Sequence, residues 1–357
     1  MVKMSYSLQN GFVLVMTLWI LAMLTLAVSF FALWTQRTVS LAQSMQDDLQ
    51  GEMDMLGTQA NVIYLLNSQR MTIAGLTLPL PVNSKNQVEF KRNFIDQDSI
   101  LPVGGELFLD DRPYVGYGKA FFALQDVRGL IPINFTSIPT LDRLLGLLGV
   151  KVDLRSPLID KLHDYIDIDD LHRLNGAESY HYDKRNLAPP TNHFLRHPME
   201  SQHIFDWAEQ TGLWENYRFS QLTNTVLSSK PNFNTAPSLV LQASYNLTAK
   251  MAEQLIEFRQ SQSLYLLGTV NQVMGVHLDI DPDDANFFPA NYLRLTLWYE
   301  GSPRMQQVLV RLTPANKLKP WKIKSRLDIK LLPHYIESSS SNVQTTIFTT
   351  TLSTAAQ

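Results

Sequence analysis

The most extreme pattern in the chain is an uninterrupted apolar segment near its amino terminus. Residues 12–34 are 23 consecutive positions without a charged side chain. As an α-helix this segment would be roughly 35 Å long at about 1.5 Å per residue, enough to cross a hydrocarbon core of about 30 Å. It is longer than the apolar part of a secretory signal peptide, about 7–15 residues, and it leads into a helical pattern rather than a cleavage site. We therefore predict a retained single-pass transmembrane helix behind a leader of residues 1–11.

Charges on the two sides of this segment give a weak orientation signal. Lys3 and the amino terminus precede it, whereas Arg37 follows it and is itself followed by Asp47 and Asp48. Because lysine and arginine accumulate in cytoplasmic loops, this arrangement favours a cytoplasmic amino terminus, with the bulk of the chain on the other side of the membrane.

A helical stripe continues beyond the apolar segment. Apolar side chains recur every three or four residues through positions 39–66, and no proline occurs before Pro79. The stripe consists of Val39, Ala42, Met45, Leu49, Met53, Leu56, Ala60, Ile63 and Leu66, and the opposite face carries Gln43, Gln46, Asp47, Gln50, Asp54 and Gln59. We predict a helical stalk over residues 35–70, packed either on its own domain or among like helices in a filament.

In the remainder of the chain, the spacing of apolar residues changes twice, from strand-like alternation to helical spacing and back. Residues 71–134 contain strand-like runs at 88–95, 105–110 and 114–127, and alternation returns in 276–335 with a hairpin that turns at residues 300–303. Residues 135–275 have helical spacing, and the Ser/Thr-rich residues 336–357 are predicted to be a disordered tail.

Prolines are expected to begin the short helices of the middle region. Pro157 is predicted to begin one helix and Pro198 another. In the second, Ile204, Trp207 and Ala208 are predicted to point inward, and Gly212 to end it. A third helix is expected to begin beside Pro237.

Composition narrows the possible functions. Apolar residues make up 45% of the chain and charged residues 18%, which excludes disorder for most of it. The net charge of −3 gives no overall positive field for nucleic acid, so we predict no nucleic-acid partner. The absence of cysteine excludes disulfides, cysteine zinc sites and thiol chemistry. The sequence also contains no nucleophile elbow, P-loop or dinucleotide-binding glycine pattern.

Several stretches, in order, resemble one known family. The leader ending in Gly11 and the apolar segment beginning at Phe12 resemble the type IV pilin and pseudopilin class. Within that class the chain resembles the minor pseudopilin K family of type II secretion systems (general secretion pathway protein K). The stretches are GFVLVMTLWILAMLTL, LQDVRGLIPIN, YIDIDDLHRLNGAESYHY, PNFNTAPSLVL, ANYLRLTLWYEG and MQQVLVRL, which together span residues 1 to about 312.

This resemblance implies a mechanical rather than a catalytic function. It implies cleavage after Gly11 by prepilin peptidase, which leaves Phe12 as a methylated amino terminus. Pseudopilins usually carry glutamate at the fifth mature position, where it pairs with the terminal amine of a neighbouring subunit, but Met16 stands there in this chain. A subunit without this carboxylate tolerates having no subunit above it, as expected of a filament tip. The alternative interpretation is that Met16 is simply another lipid-facing residue.

An acidic loop is the candidate metal site. Asp167, Asp169 and Glu178 occupy positions 1, 3 and 12 of a twelve-residue window, the spacing of acidic ligands in an EF-hand. Leu171 and His172 at positions 5 and 6 depart from that motif. Structural calcium occurs in the family that the chain resembles, so a calcium site is expected from some of Asp164, Asp167, Asp169, Asp170 and Glu178. A solvated acidic loop remains the alternative.

Histidines are also concentrated in this region. They are His163, His172, His181, His193, His197 and His203. A zinc site needs three fixed ligands, but the chain has no H-E-x-x-H motif, and Pro198 argues against one helix that carries both His193 and His197. Two alternative functions therefore remain: a membrane-anchored periplasmic metal-dependent hydrolase that uses the His/Asp-rich loop, and nucleic-acid binding by the helical region.

The sequence and the resemblance together predict an α+β fold. A pilin-like transmembrane helix and stalk pack on an antiparallel sheet formed by residues 71–134 and 276–335, and residues 135–275 form a large all-α (SAM-like) insertion. The function expected is that of a non-enzymatic minor pseudopilin that caps and primes the tip of the periplasmic pseudopilus for protein export. The expected partners are minor pseudopilins I and J and possibly H, the major pseudopilin, prepilin peptidase and the inner membrane.

Overall fold

The computed structural model describes residues 12–78, 100–228, 230–316, 318–338 and Phe348. The leader with Gly11, the predicted strand at 88–95 and most of the predicted tail lie outside the described residues. The chain divides between Met53 and Asp54 into two compact units.

One continuous helix, α1, runs over Phe12–Ser68. The absence of proline lets the backbone hydrogen-bond ladder continue through 57 residues, and Gly51 and Gly57 do not interrupt it. Its amino-terminal part is long and apolar enough to cross a membrane, and none of that apolar stretch is buried inside the protein.

The second unit contains a five-stranded antiparallel sheet with the order β1-β2-β5-β6-β7. Its strands are β1 Asp110–Val115, β2 Ala120–Asp126, β5 Tyr292–Tyr299, β6 Arg304–Leu312 and β7 Trp321–Lys330. The β5–β6 hairpin turns at the residues predicted from sequence, where Gly301 adopts φ +82°, a left-handed conformation that glycine reaches without strain. The α+β fold class is therefore confirmed.

The carboxyl-terminal end of α1 packs on one face of this sheet. Val62, Leu65 and Leu66 form a core with Phe122 on β2 and Leu295 on β5. Alternation along each strand places every second residue on this face. Burying one such side chain contributes roughly 1.5–3 kcal/mol, so this core holds the last turns of the helix against the sheet.

The apolar stripe predicted along the stalk is only partly buried. Ile63 and Leu66 are buried, but Leu49 and Leu56, nearer the membrane, are about 60% and 56% exposed. Asp54, predicted to be on the solvated face, is buried instead. Within this single chain, the stripe therefore packs on its own domain only near the end of α1, and packing of the rest among like helices stays a prediction.

Polar contacts explain the burial of Asp54. Its carboxylate accepts a hydrogen bond from the Lys119 amide at 2.9 Å, in the turn between β1 and β2. One helical turn later, the Thr58 hydroxyl accepts from the Tyr117 amide at 2.8 Å. Gly118 sits between them with φ +56°, and a Cβ added there would come within 2.2 Å of the Asp54 carboxylate. Gly116 also abuts Thr58, and we call the group of six residues, Asp54, Thr58, Gly116, Tyr117, Gly118 and Lys119, the turn latch.

The helical region is divided in the chain by a short parallel strand pair, β3 Ile131–Pro132 and β4 Thr223–Asn224. Its α-helices are α2 Ile138–Leu147, α3 Val152–Ile166, α4 Ser179–Lys184, α5 Thr211–Trp214, α6 Arg218–Leu222, α7 Ser238–Tyr245, α8 Ala249–Ser261 and α9 Leu267–Met274. Helices α2 to α6 lie between β3 and β4, and α7 to α9 lie between β4 and β5. Shorter 3₁₀ segments are Val127–Gly129, Pro198–His203, Glu215–Tyr217 and Pro282–Asp284, and a last helix, α10, spans Pro333–Ser338. Helices α2 to α9 share one apolar core, separate from the core under α1, whereas Tyr335 of α10 packs in a third cluster with Trp298.

Two predicted helix boundaries in this region are wrong. Helix α3 begins before Pro157, which lies inside it; the missing amide frees the carbonyl of Asp153, an exposed residue, where water can satisfy it. The helix begun by Pro198 is a single 3₁₀ segment, and a left-handed residue, Asp206, interrupts the helical path beyond it.

The burial and the end predicted for this second helix fail for the same reason. Ile204 and Trp207 are buried, but Ala208 is exposed, and Gly212 lies within α5 rather than ending a helix. The Trp207 indole donates to the Leu158 carbonyl at 2.9 Å, so a tertiary contact, not helical spacing, decides which side chains face inward.

Candidate functional site

Two stretches that carry the family resemblance meet at a buried carboxylate, Asp126, at the end of β2. One oxygen accepts from the amides of Arg128 at 3.0 Å and Ala290 at 2.9 Å. The other accepts from the Asn232 side-chain amide and the Thr235 hydroxyl, both at 2.9 Å. The LQDVRG and PNFNTAP stretches are therefore joined by one side chain. We call this set of five residues the Asp126 hub.

Burial makes ionisation of the Asp126 carboxyl group less favourable. It raises the pKa of Asp126, and the four hydrogen bonds to the carboxylate oppose the shift. Sequence reasoning noticed both stretches but assigned no role to Asp126. The signal available was the pairing of an Asp-x-x-Gly turn with an Asn-x-Asn-Thr turn, and nothing in their spacing shows that they meet.

Two further residues extend this network into the helical region. The Asn234 side chain donates to the carbonyls of Leu264 at 2.7 Å and Phe287 at 2.9 Å. The buried Arg259 guanidinium on α8 donates to the carbonyls of Phe233 at 3.1 Å and Ala236 at 2.7 Å. Together with the Asp126 hub, these contacts tie the helical region to the sheet, so the motif residues have a structural role.

The acidic loop connects α3 to α4. Asp164, on the last turn of α3, is fully buried, and its carboxylate accepts from the Arg173 amide at 3.1 Å. The Arg173 guanidinium lies 3.4 Å from Asp164 and 3.9 Å from Asp167. Gly176 lies against the Asp164 carboxylate so closely that a Cβ there would collide with it. One arginine thus faces several carboxylates.

Glu178 is the least compensated of these carboxylates. The residue is 5% exposed, and neither side-chain oxygen has a hydrogen-bond partner in the described parts of the chain. Burial and then repulsion from Asp164, Asp167, Asp170 and Asp169 raise the pKa of Glu178 to about 7.

The remaining loop acids differ in their surroundings. Burial and then repulsion from Asp169 and Asp164 raise the pKa of Asp167, against the opposing effect of Arg173. Asp169 and Asp170 are exposed; they accept, respectively, from the Leu171 amide at 2.9 Å and, weakly, from the Asn192 side chain at 3.4 Å.

The acidic loop supplies oxygen ligands, but its side chains do not form a complete metal-binding site. Carboxylates suit calcium, and the unpartnered oxygens of Glu178, together with Oδ1 of Asp167, are groups that a cation would satisfy. However, among the described residues no three His, Asp or Glu side chains are arranged to hold a metal ion. The donor chemistry therefore fits calcium, but the side chains described do not form a closed ligand set.

The six clustered histidines do not form a common site. The His172 and His181 rings are 5.5 Å apart, whereas His193 lies on the exposed segment before Pro198. His181 instead completes a cap at the start of α4, where its Nδ1 accepts from the Glu178 amide at 3.1 Å. The described residues thus give the hydrolase hypothesis no metal centre.

The other candidate surface is the bare part of α1. Met16 is 54% exposed and Phe12 71%, and the stripe residues Val39, Met45 and Leu49 are at least half exposed. A contiguous apolar surface of this kind on a helix marks a membrane or helix–helix contact.

Comparisons with solved structures give a distant likeness. No protein-family model matches the chain, and no curated protein matches it. Among solved structures, the chain is similar to part of the GspK-GspI-GspJ complex of the type 2 secretion system from enterotoxigenic Escherichia coli. The TM-score is 0.48 at 14% identity, over 83% of this chain and 99% of that one.

Proposed function

We propose that this chain is a minor pseudopilin of a type II secretion system. It would sit in the inner membrane with its amino terminus in the cytoplasm and its bulk in the periplasm, and would cap and prime the pseudopilus tip. The observation that carries the proposal is α1: one helix has a bare apolar half and a second half that packs on an antiparallel sheet. The ordered sequence stretches that resemble the pseudopilin K family support it.

Met16 supports a tip location. With processing after Gly11, Met16 is the fifth mature residue, and its thioether cannot pair with the terminal amine of another subunit. A carboxylate at this depth would be costly in lipid unless it were paired, so a subunit that lacks it bears no such cost when nothing lies above it.

The exposed stripe supports assembly with like helices. Val39, Met45, Leu49, Met53 and Leu56 lie on the face of α1 that the chain's own sheet does not bury. We propose that this stripe packs on the helices of pseudopilins I and J below it, while prepilin peptidase acts on the leader.

Processing at the leader tests the proposal. In a strain with prepilin peptidase, we expect intact-mass measurement to show loss of residues 1–11 and a methylated Phe12. Gly11→Val should block the loss, because the larger side chain fills the space next to the cleaved bond, whereas Gly268→Val, at a glycine with open space around its Cβ position, should leave processing unchanged. An intact leader on the wild-type membrane protein would contradict the proposal.

We further propose that the acidic loop binds calcium as a structural ion. Asp164, Asp167, Asp169, Asp170 and Glu178 would supply the ligands, and calcium would compensate the repulsion that raises the pKa of Glu178. The support is the set of buried, unpartnered oxygens on Glu178 and Asp167.

A calcium titration of the detergent-solubilised full chain tests this second proposal. Calcium should raise the melting temperature by binding the folded state, and a chelator should reverse the increase. Replacing Asp169→Asn together with Glu178→Gln should abolish the response, whereas Asp279→Asn, at an exposed aspartate outside the loop, should preserve it. Equal melting temperatures in calcium and in chelator would exclude the site.

A further inference from the structure

A cleft of about 50 Å³ lies between the five-stranded sheet and the helical region. The sheet contributes Arg294, Leu309 and Ser325, and the helical region contributes Arg196, His197 and Val226. The cleft holds a few heavy atoms rather than a whole metabolite. No aspartate or glutamate is among the residues that line it.

Arg294 supplies a buried positive charge with one unused donor. The side chain is 8% exposed; one terminal nitrogen donates to the Gln221 carbonyl at 3.3 Å, and the other contacts Asp111 at 3.2 Å. Its Nε is buried and has no hydrogen-bond partner among the residues that the structure describes. An unpaired buried donor of this kind is costly, and a bound acceptor would remove the cost.

His197 supplies a second donor. Its Nδ1 accepts from the Met199 amide at 3.1 Å. Burial, and then the nearby charge of Arg294, lower the pKa of His197, so the ring is neutral near pH 7. Because Nδ1 accepts, the single ring proton of the neutral tautomer is on Nε2, which is therefore a donor.

Arg196 supplies a free guanidinium on the exposed side of the cleft. Its backbone is fixed, since its amide donates to Glu200 at 2.8 Å and its carbonyl accepts from the Thr225 hydroxyl at 3.1 Å. Within the described ranges, its guanidinium makes no hydrogen bond or ion pair, and the residue is exposed. The Arg196 guanidinium is thus positioned at the cleft without a counterion among the described residues.

The other polar side chains of the cleft are largely used internally. Asn224 donates to the carbonyls of Val127 and Leu130 and accepts from the Val226 amide. The Thr223 hydroxyl donates to the Phe219 carbonyl. The groups that remain available in the cleft are the side chains of Arg294, His197 and Arg196, and each of them is a hydrogen-bond donor. The space between them is about the size of a carboxyl group.

We propose that this cleft binds a single carboxylate group presented by a peptide, either a chain terminus or an acidic side chain. Arg294 and His197 would donate to it from within, and Arg196 would close over it in a charge-assisted contact of the kind arginine makes with carboxylates. The inference does not depend on the pseudopilin proposal, because it rests only on the donors and size of the cleft.

Ligand-observed NMR titrations of the detergent-solubilised full chain, at pH 7 and constant ionic strength, test the inference. N-acetylglycine carries a terminal carboxylate, and the α-amide of N-acetylaspartate carries a side-chain carboxylate, so the tighter binder identifies the source. We expect saturable binding of at least one, and no binding of the matching neutral isosteres, N-acetylglycinamide and the α-amide of N-acetylasparagine.

Two surface variants decide whether binding occurs in this cleft. Arg196→Gln should weaken binding about tenfold, as expected for the loss of one charge-assisted hydrogen bond. Arg304→Gln removes an exposed arginine that does not line the cleft, and it should leave the affinity unchanged. Equal affinity in both variants, equal binding of the neutral isosteres, or preference for inorganic phosphate would overturn the inference. Absence of saturable binding, as for a cleft that holds only water, would also overturn it.

Discussion

At the scale of single residues, two buried carboxylates have opposite surroundings. Asp126 accepts four hydrogen bonds, two of them from backbone amides, so its environment satisfies it. Glu178 accepts none among the described residues and is surrounded by other acids. The Asp126 carboxylate therefore has a structural role. The Glu178 carboxylate is repelled by its neighbours when it is ionised, and binding of a proton or a cation would remove that repulsion.

Removing the Asp126 carboxylate should strongly destabilise the protein. Asp126→Ala leaves four donors, two of them in fully buried hydrogen bonds, without an acceptor, and we expect a loss of about 3 kcal/mol or more in the free energy of unfolding. Urea denaturation followed by tryptophan fluorescence measures the loss. Asp279→Ala, at an exposed position, should change stability by less than about 0.5 kcal/mol. A similar small change for Asp126→Ala would contradict the structural role of the hub.

The raised pKa of Glu178 should appear as a pH dependence of stability in chelator. The unfolded state ionises near pH 4.5, whereas the folded state retains the proton to about pH 7, so the free energy of unfolding should fall as pH rises through this interval. Glu178→Gln should flatten the fall and make the variant more stable than wild type at pH 8. Glu253→Gln, at an exposed glutamate on α8, should leave the profile unchanged. Identical profiles for the wild type and Glu178→Gln would show that the carboxylate is not strained.

At the scale of elements, α1 uses polar and apolar contacts in different places. Its last turns pack on the sheet through leucine and valine, whereas Asp54 and Thr58 bond to the β1–β2 turn. The same helix leaves Leu49 exposed to solvent in this single chain. Helical periodicity predicts the existence of the helix, but it cannot show where the chain's own sheet begins to cover it.

The turn latch should be sensitive to a single methyl group. Gly118→Ala places a Cβ against the Asp54 carboxylate and requires a left-handed alanine, so a loss of about 1–3 kcal/mol is expected from strain and overpacking. Gly268→Ala, near the start of α9, meets no atom within 4 Å and should be neutral or stabilising by up to about 1 kcal/mol. Chemical denaturation of the two variants compares them, and an equal effect would mean that the latch contributes nothing.

Substitutions in the exposed part of the α1 stripe should affect assembly, whereas substitutions in its buried part should affect the stability of the chain. Leu49→Gln should leave the unfolding of the single chain unchanged and should weaken its association with pseudopilins I and J. Leu66→Ala, in the core under the sheet, should cost about 2–5 kcal/mol in stability. Pull-down yields and denaturation curves measure the two effects. Destabilisation by Leu49→Gln without loss of association would contradict the assigned surface.

At the scale of the whole molecule, sequence patterns predict the order of elements better than their contacts. The apolar helix and the β5–β6 hairpin follow directly from periods of 3.6 and 2 residues. Ala208 and Asp54 were misplaced because their burial is decided by Asp206 and by the β1–β2 turn, which are not encoded in local spacing. The Asp126 hub and the cleft at Arg294 require residues more than a hundred positions apart to meet, so spacing along the chain does not show them.

The central claim is that this chain is a minor pseudopilin that joins two others at a filament tip. Its most direct test is native mass spectrometry of the full chain, co-expressed with pseudopilins I and J and prepilin peptidase and purified in detergent. The account predicts a 1:1:1 complex in which this chain begins at methylated Phe12. A chain that is recovered alone, or several copies of it in one assembly, would contradict the claim.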